Sequence, residues 1–264
     1  ITSEARLLAP GRWSVQIRAT SPEPIKVRVT AAGAQIERTI GPPTAPQSRV
    51  TGPSKVIGEV GAAITFPLQD SRSPAATSDQ IRVYVGEGKA EIVDGEEGAL
   101  GLRWTPDGAP YPRAVPIGIH DLRTPSLSPA WTVVHLYGRP RIPIRTEPGV
   151  EIKLRIGSRQ FGPWTADEDG HIETRPEVRP GESTAQVLAS DSLGNHEEST
   201  IALGGDVRPR LGIVHSGSIV PMRPLPTLWV HAIAPDGTAW KGQTPTCTTT
   251  NANTTIAPVL AMPT

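Results

Sequence analysis

The sequence predicts an all-β protein built of small antiparallel sandwiches, and three observations carry that prediction. Proline and glycine are dense, with 29 Pro and 26 Gly in 264 residues. A proline inside a helix costs about 3 kcal/mol and a glycine about 1 kcal/mol. The longest stretches free of both run from 182 to 193 and from 246 to 257, so helices of ordinary length have almost nowhere to form. Between these breakers apolar and polar residues alternate, the period-two pattern of a strand with one buried face. Finally, Pro-Gly, Asp-Gly and Gly-Asn dipeptides cut the chain at short intervals, which is the chemistry of tight β connections.

The first alternating runs are RWSVQIRAT (12–20), IKVRVTA (25–31) and AQIERTI (34–40). Trp13, Val15 and Ile17 share one face of the first, and Ile25, Val27 and Val29 one face of the second. A sandwich needs about 100 residues, so residues 1–49 are expected to be a partial β domain or the end of a preceding sandwich. The Pro/Gly/Ser-rich stretch 41–54 reads as a linker. Strand patterns then follow at VIGEVGAAITFPL (56–68), DQIRVYVG (79–86), KAEIVDG (89–95), GALGLRWTPDG (98–108), RAVPIGIHD (113–121) and PAWTVVHLYG (129–138). They predict one complete sandwich over 50–141, with an irregular insertion at 71–80. A smaller sandwich is expected over 142–204, from VEIKLRIG, FGPWTA, HIETRPEV, STAQVLASD and ESTIALG. Residues 205–264, with RLGIVHSG, TLWVHAIAPDG and TAWKG, read as another partial β domain with a Thr-rich tail that is either an edge strand or loose.

Charge is balanced at 26 basic and 26 acidic residues with the signs interspersed. A nucleic-acid binder would carry a basic excess or stripe, so no nucleic-acid partner is expected. No apolar run approaches the ~20 residues of a membrane helix, and no cleavable signal peptide is visible. The chain starts at Ile1 without Met, which reads as a processed chain or a segment of a longer one. Cys247 is the sole cysteine, so no intramolecular disulfide can form. Its expected state is an inert thiol, with linkage to another chain as the alternative.

Internal similarity points to a tandem array. Gly61-Ala-Ala-Ile64-Thr-Phe66-Pro-Leu68 matches the alternation of Gly149-Val-Glu-Ile152-Lys-Leu154-Arg-Ile156, roughly one sandwich further on, and Trp104-Thr-Pro-Asp-Gly108 resembles Ala234-Pro-Asp-Gly237. At Glu147-Pro-Gly149, Ala166-Asp-Glu-Asp-Gly170 and Ala189-Ser-Asp-Ser-Leu-Gly-Asn195 the chain resembles bacterial immunoglobulin-like repeat domains. In that family a Gly-bearing first strand, an Asp-Gly hairpin and an Ala-x-Asp-x-x-Gly-Asn turn recur along large surface and secreted proteins. The resemblance is strongest over 144–203 and looser elsewhere. It implies tandem immunoglobulin-like antiparallel β-sandwiches with a spacer, adhesion or assembly role outside the cytoplasm.

Few residues suggest chemistry. Asp167, Glu168 and Asp169, with Glu173 nearby, are the densest carboxylate cluster. Calcium takes roughly six to eight oxygens, but the spacing does not match an EF-hand loop. A hairpin turn is the main reading, with a calcium site at Asp167, Asp169 and Glu173 as the minor one. Asp191 and Asn195 likewise read as turn formers. The six histidines stand singly, and His135 and His231 fall in strand patterns that also hold Trp131 and Trp229. His120-Asp121 could orient a catalytic base only near a nucleophile, and Ser216 and Ser218 in HSGS do not form a G-x-S-x-G elbow. Six tryptophans outnumber two Phe and three Tyr. About one per sandwich fills a core, whereas Trp164 and Trp240 lie near turns and are candidates for contact with a protein or glycan. Arg139 and Arg141 are expected to pair with Glu or a carbonyl between units.

The functional expectation is a non-enzymatic structural, adhesion or assembly segment of a larger bacterial envelope or secreted protein, found extracellularly, on the cell surface or in the periplasm. Its partners would be other envelope proteins or neighbouring domains, with strand edges open to β-augmentation. The alternative is a carbohydrate-binding accessory module of a secreted hydrolase.

Overall fold

The alternating runs do become strands. The computed structural model describes residues 6–19, 25–40, 50–71, 74–95, 98–124, 127–215, 227–249 and 254–257. Most of the linker (41–49), Ser216, Ser218 and the end of the Thr-rich tail lie outside the described residues. Strands β1 to β23 and one 3-10 turn, Ser78–Gln80 in the irregular 71–80 stretch, make up the regular structure. No α-helix occurs among the described residues, as the Pro/Gly spacing requires.

The strands form three pairs of facing sheets. In the first, here the outer pair, one sheet holds β1 (Arg6–Ala9), β2 (Arg12–Ala19), β21 (Thr227–Ile233) and β20 (Arg210–His215), with β23 (Thr254–Ala257) also on β2. The other holds β22 (Thr246–Thr249), β3 (Ile25–Ala31) and β4 (Ala34–Ile40). Trp13, Val29, Ile213, Leu228, Val230 and Cys247 meet between them. The two ends of the chain, expected as separate partial units, therefore share both sheets: Trp13 pairs with Val230 and Val29 with Cys247. Each end brings too few strands to cover its own apolar face, and the two cover each other.

The central pair sets β10 (Lys89–Asp94), β11 (Leu100–Thr105) and β7 (Ile64–Pro67) against β6 (Lys55–Glu59), β13 (Ala130–Tyr137), β12 (Arg113–Asp121) and β9 (Ile81–Val85). A small ribbon of β5 (Val50–Thr51) and β8 (Gln69–Asp70) lies at one end. Phe66, Leu102, Trp104, Ile117, Val134 and Leu136 fill the core. The sheets are not wholly antiparallel, because β6 runs parallel to β13. A parallel neighbour needs a long crossover, and the chain from β7 to β12 supplies it.

The third pair is smaller. The ribbon β14 (Ile142–Arg145) and β17 (His171–Thr174) faces β16 (Arg159–Thr165), β15 (Glu151–Ile156), β18 (Thr184–Ser190) and β19 (His196–Ala202). Ile152, Leu154, Ile156, Val178 and Ala185 form its core. Two short strands cannot cover four, so β19 is exposed at every residue except the half-buried Ile201.

The outer and central pairs are stacked. Every residue of β12 is buried, although adjacent strand residues face opposite sides. Val115, Ile117 and Ile119 point into the central core. On the opposite face Ala114 meets Val133 and Ile233, and Gly118 lies against Val214 and Trp131. Four sheets are thus layered, with β12 in one of the two middle layers.

Candidate functional site

The seam between those middle layers gathers most of the unusual side chains. Two glycines open the space for Trp131. A Cβ on Gly212 would lie 2.5 Å from the Trp131 ring, and one on Gly118 would lie 3.0 Å from it and overlap Val214. Tyr84, Trp131, Val214 and Trp229 then pack as one cluster. Histidines cross the seam in both directions. His231 of β21 lies against Trp131 with centroids 5.1 Å apart, and His120 of β12 against Trp229 at 5.3 Å. Tyr84 of β9 meets His215 edge-on at 5.0 Å and donates its hydroxyl to the His215 carbonyl at 3.2 Å. His135 of β13 abuts Gly237, where any side chain would strike the imidazole.

The imidazoles of His120, His135 and His231 are held neutral. His120 is 1% exposed and His231 5%. Burial, with charge from His215 and Arg82, pushes His120 down to about 4. Burial and Arg12 push His231 to about 3, opposed by a backbone hydrogen bond at Gly11. His135 falls to about 4 through burial and Lys55, with Asp236 opposing. His120 Nε2, His231 Nδ1 and the Thr132 hydroxyl are buried without a hydrogen-bond partner among the described residues. Neutral rings stacked on tryptophans act here as packing surfaces.

An ionic clamp closes one side of the seam. The Arg113 side chain is fully buried, and its Nε lies 2.5 Å from Glu87 Oε1. Its other nitrogens donate to the Ala109 carbonyl at 2.8 Å and to Asp107 Oδ1 at 3.0 Å. The second Glu87 oxygen pairs with Arg210 of β20, whose Nη2 reaches Asp206 at 2.8 Å. Burial works against the Asp206 carboxylate, yet Arg208 and Arg210 hold its pKa below the usual range. One carboxylate, Glu87, therefore ties the central pair to the outer one.

All three pairs meet at a groove of about 640 Å³ lined by Lys55, Ile57, His135, Arg179 and Asp236. The Gly181 backbone sits so close to Asp236 that a Cβ would lie 2.9 Å from its Cβ. Ile57, on the edge strand β6, is 66% exposed. A second cavity, about 530 Å³, opens at the end of the central pair beside Asp70, His120, Asp121 and Leu127. There Arg123 bridges Asp70 at 2.5 Å and Asp121 at 3.4 Å. His120 and Asp121 are consecutive strand residues and face opposite sides of β12, so this carboxylate does not orient that imidazole.

The other candidates take local roles. Asp167 Oδ1 accepts the backbone N–H groups of Asp169 at 3.0 Å and His171 at 2.7 Å. Glu173 pairs with Arg141 and, at 3.6 Å, with Arg175. Two of the expected calcium donors, Asp167 and Glu173, are thus engaged in a turn and in ion pairs. Among the described residues no group of three or more His, Cys, Asp or Glu is placed to hold a metal. Asp191 accepts from Leu193 and Asn195, and the Asn195 amide foremost lowers its pKa. Trp164 is half-buried against the third core, and Trp240 against the outer core with Nε1 donating to the Gln243 carbonyl at 3.2 Å. Arg139 lies over the Tyr137 ring at 5.8 Å. Cys247 is buried, and burial pushes its thiol up to about 12.

No family model matches this chain, and no curated protein matches it. Among solved structures it is similar to the Yersinia pseudotuberculosis adhesin InvE, at 12% identity and a TM-score of 0.24, over 58% of each chain. The chain therefore spans less than two thirds of that protein's matched chain. It is also similar to a Ca2+-stabilized adhesin with which an Antarctic bacterium binds ice, at 12% identity and a TM-score of 0.22, over 95% of this chain and 86% of that one. TM-scores of this size do not establish a common fold. No helix among the described residues is long and apolar enough to cross a membrane.

Proposed function

We propose that this chain is a non-enzymatic structural or adhesion segment of a bacterial envelope or secreted protein, acting through protein–protein contacts outside the cytoplasm. It comprises three immunoglobulin-like sandwiches: one over 50–141, one over 142–204, and one shared by strands β1–β4 and β20–β23. The observation that carries this reading is the seam. The aromatic and histidine side chains there are spent on joining sheets, and nine consecutive residues of β12 are buried to do so. Fusing sheets on both faces yields a stiff body, which suits a part that positions contacts at a distance. The mixed surface charge fits contact with other proteins better than with a polyanion.

Display of the full chain on a non-adherent bacterial host tests this. Adherence or self-association several-fold above an empty display vector is the expected result. Unchanged adherence, with the chain demonstrably folded on the surface, would overturn the adhesive reading. Retention on a polysaccharide panel instead would point to the carbohydrate-module alternative.

A further inference from the structure

The route of the chain through the outer pair has a mechanical consequence. On one edge of β2, β21 pairs over Arg12–Gln16. On the other edge β1 pairs over Arg12–Ser14 and β23 over Gln16–Ala19. The edges are distinct because Ser14 pairs with both Trp229 and Arg6, and Gln16 with both Thr227 and Ala257. Both β1 and β23 are antiparallel to β2, so they lie end to end and run the same way, like one edge strand broken in the middle. The break falls between Ala257, opposite Gln16, and Arg6, opposite Ser14. Two strand residues separate these points, or about 7 Å.

We infer that residues 50–203 form a side arm: the first described strand begins at Arg6 and the last ends at Ala257, next to each other, so the central and third sheet pairs stand outside the path of tension between these two points. Both pairs are inserted between β4 and β20 of the outer pair. A pull on the two ends acts first on β1 and β23, four residues each. It reaches the inserted pairs only after the outer sheets separate. A linear array of sandwiches has the opposite property, since every unit bears the same load and the ends lie far apart. The Leu193 turn, 85% exposed, follows β18, at the other end of that strand from Gly181. From the contact at Gly181, β18 carries the chain seven residues outward, about 23 Å.

Energy transfer between dyes on the two termini of the full chain tests the geometry, with a second sample labelled at one terminus and at Leu193→Cys. Buried Cys247 stays unlabelled. Terminus-to-terminus transfer should exceed terminus-to-Leu193 transfer. Equal or lower terminus-to-terminus transfer would overturn the side arm. Stretching single molecules by their termini tests the load path. The first event should release only the length of the outer-pair strands, and the central and third pairs should yield later. A first event that releases the central or third pair sinks the inference. Neither readout depends on adherence, so this geometry and the adhesive role can fail separately.

Discussion

β12 and β19 are both strands within four-stranded sheets, yet their surroundings are opposite. β12 reads RAVPIGIHD and is buried at every position, with a sheet on each side. β19 reads HEESTIA and is exposed at all but one residue, because the ribbon facing its sheet ends before reaching it. The contrast teaches that a strand's contribution depends on how many faces its neighbours cover. A strand with two covered faces holds separate units together, whereas a charged edge strand resists unwanted pairing.

The largest effect should come from filling the seam. Gly118→Val drives a branched side chain into Val214 and Trp131. It should cost about 3 kcal/mol or separate the layers outright, read by urea unfolding and by protease cleavage between the pairs. Removing the clamp comes next. Arg113→Ala leaves Glu87 paired with Arg210 alone and should cost about 2 kcal/mol, less than a buried charge left wholly uncompensated. Arg141→Ala, at an exposed pair with Glu173, should change stability by less than about 1 kcal/mol. That gap in urea midpoints measures the difference between seam and surface.

Acidification should also act on the seam. His120, His135 and His231 all have folded pKa values below the unfolded 6.5. The unfolded chain therefore binds more protons on acidification, and their stabilising effect is intact above pH 6.5. It declines as pH falls to about 4 for His120 and His135, and to about 3 for His231. At about 1.4 kcal/mol per unit, His120 alone accounts for about 3 kcal/mol. His120→Phe should flatten part of the decline between pH 6.5 and 4 in melting experiments, and an unchanged slope would remove His120 from the account. The smallest effect belongs to β19, where Thr200→Ala should stay within about 0.5 kcal/mol by thermal melting.

The strands were legible in the sequence because alternation and turn residues act locally. Asp167 and Asp191 fold their turns through neighbours two and four residues away, so those readings needed no tertiary knowledge. The seam left one local trace: Ala114 through Ile119 is an unbroken apolar run, the mark of a strand buried on both faces. Read with the alternating strands around it, that run does not say what covers the second face. The pairing of His120 with Trp229 and of His231 with Trp131 had no local signal, since each joins residues about a hundred positions apart.

By itself the sequence determined an all-β chain, its turns, and which face of each strand seeks burial. Those follow from backbone freedom at Gly and Pro and from side-chain alternation. Only the tertiary structure decided that the two ends of the chain share sheets, that β6 runs parallel to β13, and that histidines and tryptophans interleave across a seam. The physical reason is that an exposed apolar face is satisfied by any complementary face. Shape and backbone fit, such as Gly118 and Gly212 making room for Trp131, select the partner.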